Sequence, residues 1–97
     1  MNRATLLSLL ESHRDEVKRR FAIKRLSVFG SAARDEMHDG SDIDLLVKFD
    51  GPATFDNYMG LLDYLEALLH ARIDLATDAM IKPRLRSRVE KDMIHVA

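Results

Sequence analysis

The stretch GSAARDEMHDGSDIDLLVKF, residues 30–49, decides how this chain is read. Gly30-Ser31 closes one apolar run. Asp42-Ile43-Asp44 opens the next, with ten residues between Ser31 and Asp42. Side chains alternate faces along a strand, so Asp42 and Asp44 project to one side while Ile43 turns to the core. At a rise of about 3.3 Å per residue their Cα atoms lie about 6.6 Å apart. Carboxylates so placed converge on one hard cation or bracket two. Magnesium suits them, because it takes carboxylate and phosphate oxygens and retains water. Gly30 lacks a Cβ and lets a phosphate approach the backbone. A helix opening at Ser31 turns free N–H groups toward that phosphate, and the Ser31 hydroxyl adds a donor. Arg34, one turn on, offers a planar fork of donors.

Working outward, residues 23–29 (IKRLSVF) read as a strand ending at Gly30, and residues 31–36 as a short helix. His38-Asp39-Gly40-Ser41 is a turn cluster. Residues 42–49 form the second strand, whose run Leu45-Leu46-Val47 predicts cover on both faces. Asp50-Gly51-Pro52 ends it. Upstream, residues 5–20 carry apolar residues at helical spacing, with Leu6, Leu10, Val17 and Phe21 on one row, and predict a single amphipathic helix. His13 completes that row and reads as a half-buried packing residue. Downstream, residues 54–70 predict a helix with the stripe Tyr58, Leu61, Leu62, Leu65, Leu68 and Leu69, in which Gly60 is a local cost. Residues 72–76 (RIDLA) read as a third strand. Pro83 suits the first turn of a last helix running to about residue 92, and residues 93–96 form a short final strand or pack on the surface. Helices alternating with strands predict an α/β (α+β) chain, a small mixed β-sheet flanked by helices.

If the third strand lies beside the second, Asp74 faces the same pocket as Asp42 and Asp44. It then accepts a proton from an attacking hydroxyl or helps hold the metal that activates it. Three acids so close repel one another and raise at least one pKa. A lone D-x-D or Gly-Ser is a weak signal. Their separation on a strand–turn–helix–turn–strand frame makes the combination specific. An EF-hand is excluded because Gly40 precedes the aspartates, and Walker A and G-x-G-x-x-G patterns are absent.

Composition bounds the rest. The 97 residues predict one domain, residues 1–97, with a hydrophobic fraction of 46% that fills one small core. A net charge of -1 gives no bulk basic bias, so direct nucleic-acid binding is not expected. The basic tail with Arg84, Arg86, Arg88 and Lys91 reads as a solvated helix face, with a polyanion-facing patch as the alternative. No cysteine is present, which excludes disulfides, thiolate catalysis and cysteine zinc sites. No signal peptide or membrane-length apolar run is legible, and a cytoplasmic location is the expectation.

With Gly30-Ser31, Asp42, Asp44 and Asp74 in hand, the chain resembles the minimal nucleotidyltransferases, a branch of the DNA polymerase beta nucleotidyltransferase superfamily. Their signature is G-S, a ten-residue spacer, D-x-D, and a later acidic residue on a strand. The resemblance runs through nearly the whole chain. It implies the nucleotidyltransferase fold, with Asp42 and Asp44 as catalytic metal ligands and Asp74 completing the metal set. It also implies Gly30, Ser31 and Arg34 beside the nucleotide, Mg²⁺ as cofactor and ATP as substrate. Many such small proteins are antitoxins of HEPN-domain toxin ribonucleases, and members of that group transfer AMP from ATP onto a toxin tyrosine. One departure stands out: glycine often follows the arginine in the family loop, and here Asp35 does, adding negative charge near the phosphate path. Larger relatives carry a further domain for the acceptor; none is legible here, so a separate partner is expected to hold it. Two alternatives remain at this point: a non-catalytic antitoxin that acts by binding its toxin, and a nucleotidyltransferase acting on a small molecule.

Overall fold

The computed structural model describes residues 1–38 and 40–97. Asp39 of the expected turn cluster lies outside the described residues. The elements run α1 (Arg3–Ser12), α2 (Arg14–Phe21), β1 (Ile23–Phe29), α3 (Gly30–Ala33), β2 (Ile43–Phe49), α4 (Phe55–Leu69) and β3 (Ile73–Thr77). A 3₁₀ turn (Asp78–Met80), α5 (Pro83–Asp92) and β4 (Ile94–His95) follow. The strands form one mixed sheet in the order β3-β2-β1-β4. β1 pairs antiparallel with β2 and β4, whereas β2 and β3 run parallel.

The expected single first helix is two. The chain breaks at His13 (φ -108°, ψ 8°), which ends α1 and opens α2. Its imidazole Nδ1 bonds the Leu9 carbonyl at 2.9 Å and its ring meets Tyr64 edge-on. His13 is therefore the half-buried packing residue that its spacing predicts. On either side of the break α1 presents Leu6 and Leu10, and α2 presents Val17 and Phe21, to the same core.

α4 is the most legible element. The Thr54 hydroxyl accepts the Asn57 N–H at 3.1 Å and caps its start, and His70 in the left-handed region (φ 51°) ends it. Leu61, Leu65 and Leu69 are buried on the leucine stripe. Gly60 has a packing reason: a Cβ there would stand 3.0 Å from the Phe21 ring, so its absence lets α4 settle on α2.

The core lies on one face of the sheet, where Ile43, Leu45, Val47 and Phe49 of β2 and Leu26 and Val28 of β1 meet α1, α2 and α4. The other face is covered only in part. Leu46 is buried there, but Asp44 is half-buried and Lys48 exposed. α5 lies over this face without a single buried residue. Arg34 grips Asp92 near the end of α5 at 3.1 Å, and Arg86 donates to the Asp78 carbonyl at 3.1 Å. A helix held this way, by polar ties and with no buried apolar side chain, is weakly fixed. No helix among the described residues is long and apolar enough to cross a membrane.

Candidate active site

The site sits where β1 ends and β2 and β3 begin. Phe29, the last residue of β1, pairs in register with Asp44, and Asp44 pairs with Asp74 on the parallel strand. Residues in register on neighbouring strands share a face. Asp74 therefore stands beside Asp44, as the sequence predicts if the two strands are neighbours, close enough for the two carboxyl groups to act on one another. Burial, then the neighbouring Asp74 carboxyl, with a smaller push from Asp42, raise the Asp44 pKa to about 6; Arg34 pulls weakly the other way. The expectation that crowded acids disturb a pKa holds, but desolvation is the larger cause.

Gly30 is required twice over. Its φ of +68° lies in the left-handed region, and a Cβ there would overlap the Asp44 carboxylate. The Gly-Ser turn and the second aspartate are thus packed against one another. The short helix is briefer than the expected 31–36. It ends at Ala33, and Asp35 takes a left-handed backbone (φ 58°) just beyond it. That conformation explains why glycine suits the position. The Asp35 carboxylate accepts the Arg3 N–H of α1 at 2.9 Å, so its negative charge is engaged by the start of α1.

The remaining acid and the arginine are less simply placed. Asp42 lies one residue before β2, exposed, with Arg72 3.6 Å from its carboxylate. Among the described residues no group of three or more acidic or histidine side chains is arranged to hold a metal ion. Arg34 donates to Glu36 at 3.0 Å and to Asp92 at 3.1 Å, and these carboxylates raise its pKa further. Both are residues that the sequence reading did not connect to the site. So is Tyr58, taken there only as part of a helix stripe. Its hydroxyl donates to the Leu75 carbonyl, and burial with the nearby Asp74 charge pushes its pKa up.

Two hollows flank α5 here. One of about 160 Å³ is lined by Phe29, Gly30, Arg34, Arg88, Val89 and Asp92. Another of about 370 Å³ has Asp74 at its rim and Phe29, Met80, Leu85 and Val89 as apolar walls. A third, of about 350 Å³ and lined by Met37, His38, Leu69 and His70 among others, contains none of the three acids.

A mixed sheet with an acidic pair set against a Gly-Ser turn defines a nucleotidyltransferase fold. The family described as nucleotidyltransferase domain matches residues 10–96. The protein adenylyltransferase MntA of Thermococcus cleftensis is 35% identical over 89 residues, covering 92% of this chain and 90% of that protein. A solved structure described as a minimal nucleotidyltransferase superposes with a TM-score of 0.75 at 37% identity, over 91% of this chain and 93% of the other. A chain of a Shewanella oneidensis complex, described as a tri-AMPylated HEPN toxin with MNT antitoxin, gives a TM-score of 0.66. It is 18% identical over 94% of this chain and 71% of that one, a likeness of fold. The chain belongs to the nucleotidyltransferase domain family, in its minimal, MntA-type branch.

Proposed function

We propose that residues 1–97 work as one minimal nucleotidyltransferase domain and antitoxin. In this reading it transfers AMP from ATP to a tyrosine of a HEPN-domain toxin and so silences a ribonuclease. One observation carries the reading above the others: Asp44 and Asp74 meet in register beside the Gly30 turn. The adenylyltransferase and antitoxin descriptions of the relatives supply the acceptor class.

The donor set fits Mg²⁺. It is all carboxylate oxygen, and this ion is commonly bound by one or two carboxylates with substrate phosphates completing its shell. Asp44 and Asp74 would hold it, with Asp42 swinging in from its exposed contact with Arg72. When bound, the ion would neutralise phosphate charge and lower the cost of ionising these acids. Ser31, whose Oγ is uncommitted among the described residues, and Gly30 would hold the phosphates. The tyrosine oxygen attacks the α-phosphorus and forms the new P–O bond. The bond from that phosphorus to the bridging oxygen breaks, pyrophosphate leaves, and Asp74, exposed at the rim, takes the phenolic proton.

The test is transfer of label from α-labelled ATP to the co-purified toxin with Mg²⁺. Wild-type chain labels it and Asp44→Asn does not. An unlabelled toxin, with a known adenylyltransferase labelling its own toxin in parallel, would refute the reading. Full neutralisation of the toxin by Asp44→Asn in cells would favour the pure binder.

A further inference from the structure

Along α5, Leu85, Arg88, Val89 and Asp92 follow i, i+3, i+4, i+7 spacing and share one stripe. The hollows show which way that stripe faces. Leu85 and Val89 wall the one beside Asp74, while Arg88, Val89 and Asp92 wall the one beside Gly30. Positions on such a stripe are ordinarily apolar, yet two of these are charged. Asp92 is accounted for by Arg34, which it binds at 3.1 Å. Arg88 has no ion pair or hydrogen bond among the described residues. Arg34, the arginine that the motif nominates for phosphate, is already matched by two carboxylates. The uncompensated cation of the Gly30 hollow is therefore Arg88.

We propose that Arg88 is a nucleotide-binding residue of this chain, reaching across the Gly30 hollow to the β- and γ-phosphates of the bound triphosphate. The inference rests on the nucleotidyltransferase reading above. A guanidinium suits the task because its planar fork meets phosphate oxygens in pairs and stays charged at all working pH. The charge sum of the hollow supports it. Arg34 with Glu36 and Asp92 leaves this corner net negative, and Arg88 cancels that excess, so that a polyanion entering beside Gly30 is no longer repelled and finds one guanidinium without a carboxylate among the described residues. The placement gives α5 a role as well: a helix with no buried residue becomes held by the substrate it helps to bind.

The experiment measures binding of AMP-PNP by calorimetry to the full chain with Mg²⁺, for wild type, Arg88→Gln, Arg88→Lys and Arg84→Gln. Arg84 is exposed on the same helix and lines none of the three hollows described, so its variant removes the same charge from a neutral position. Arg88→Gln is expected to weaken binding roughly tenfold or more, the loss of a charged hydrogen bond, and to flatten the salt dependence. Arg88→Lys keeps the charge without the planar fork and recovers part of the affinity, and Arg84→Gln stays within about threefold of wild type, the size of a screened long-range effect. Unchanged affinity in Arg88→Gln, an equal loss in Arg84→Gln, or a loss that lysine leaves unrelieved overturns the assignment of Arg88 and leaves the nucleotidyltransferase reading standing. A wild-type chain that binds no AMP-PNP overturns both.

Discussion

Replacing Asp44 with asparagine should make the metal-free protein more stable while it destroys activity. The carboxyl is half-buried, crowded by Asp74 and raised to about 6 from an ordinary 3.8. The folded protein thus holds this proton more tightly than the unfolded chain does. Between about pH 4 and pH 6 the folded state carries the extra proton, so stability falls as pH rises through that window. Above it the whole penalty is present; below 3.8 both states are protonated and it vanishes. At about 1.4 kcal/mol per pH unit the displacement sets an upper limit of about 3 kcal/mol. Solvent reaches the carboxyl and screens it, which brings the expected effect to about 1 kcal/mol. Asparagine mimics the protonated acid in shape and carries no charge to desolvate. For a domain of this size about 1 kcal/mol raises the melting temperature by about 4–8 °C. The assay is thermal unfolding with EDTA from pH 4 to pH 8. The variant should melt higher at pH 7.5, and the gap should close toward pH 4. A variant that melts at or below wild type at pH 7.5, or a gap that persists undiminished at pH 4, would refute crowding and burial as the cause.

Other outcomes follow from the same geometry. Asp42→Asn should abolish label transfer and leave unfolding within about 0.5 kcal/mol of wild type, because its carboxylate is exposed and its ion pair among the described residues is with the exposed Arg72. Gly30→Ala should cost about 1–3 kcal/mol in denaturant unfolding and remove transfer, since it combines a left-handed backbone with an overlap on Asp44; a neutral result would count against the packed turn. Leu65→Ala, a wholly buried truncation in α4, should cost about 2–5 kcal/mol by the same measurement. Saturating Mg²⁺ with a non-hydrolysable ATP analogue should raise the wild-type melting temperature and leave that of Asp44→Asn nearly unmoved.

Much of this protein is written locally. The leucine stripe with Thr54 before it marks α4, Pro83 marks α5, and the Gly30-Ser31 to Asp42-Ile43-Asp44 spacing marks both the fold family and the acids. Such features are legible because caps, periodicity and turn chemistry depend on neighbours in the chain. Other features depend on what packs against what. A bulge between Ile23 and Arg25 shifts the alternation of β1, so Ile23 and Leu26 both face the core although they are three residues apart. No count along IKRLSVF reveals that. The break at His13 leaves no mark in the spacing, because Leu6, Leu10, His13, Val17 and Phe21 would lie on one row of a continuous helix as well. The meeting of Asp44 with Asp74 needs the parallel register of β2 and β3, chosen by the core faces of both strands and not by the acids themselves. The matching of Arg34 by Asp92, and Arg88 beside it with no ion pair among the described residues, exist only once α5 folds back over the open face. Residue type and spacing name the chemistry; partners, charge balance and proton affinity are set by contacts between segments remote in the chain, which only packing brings together.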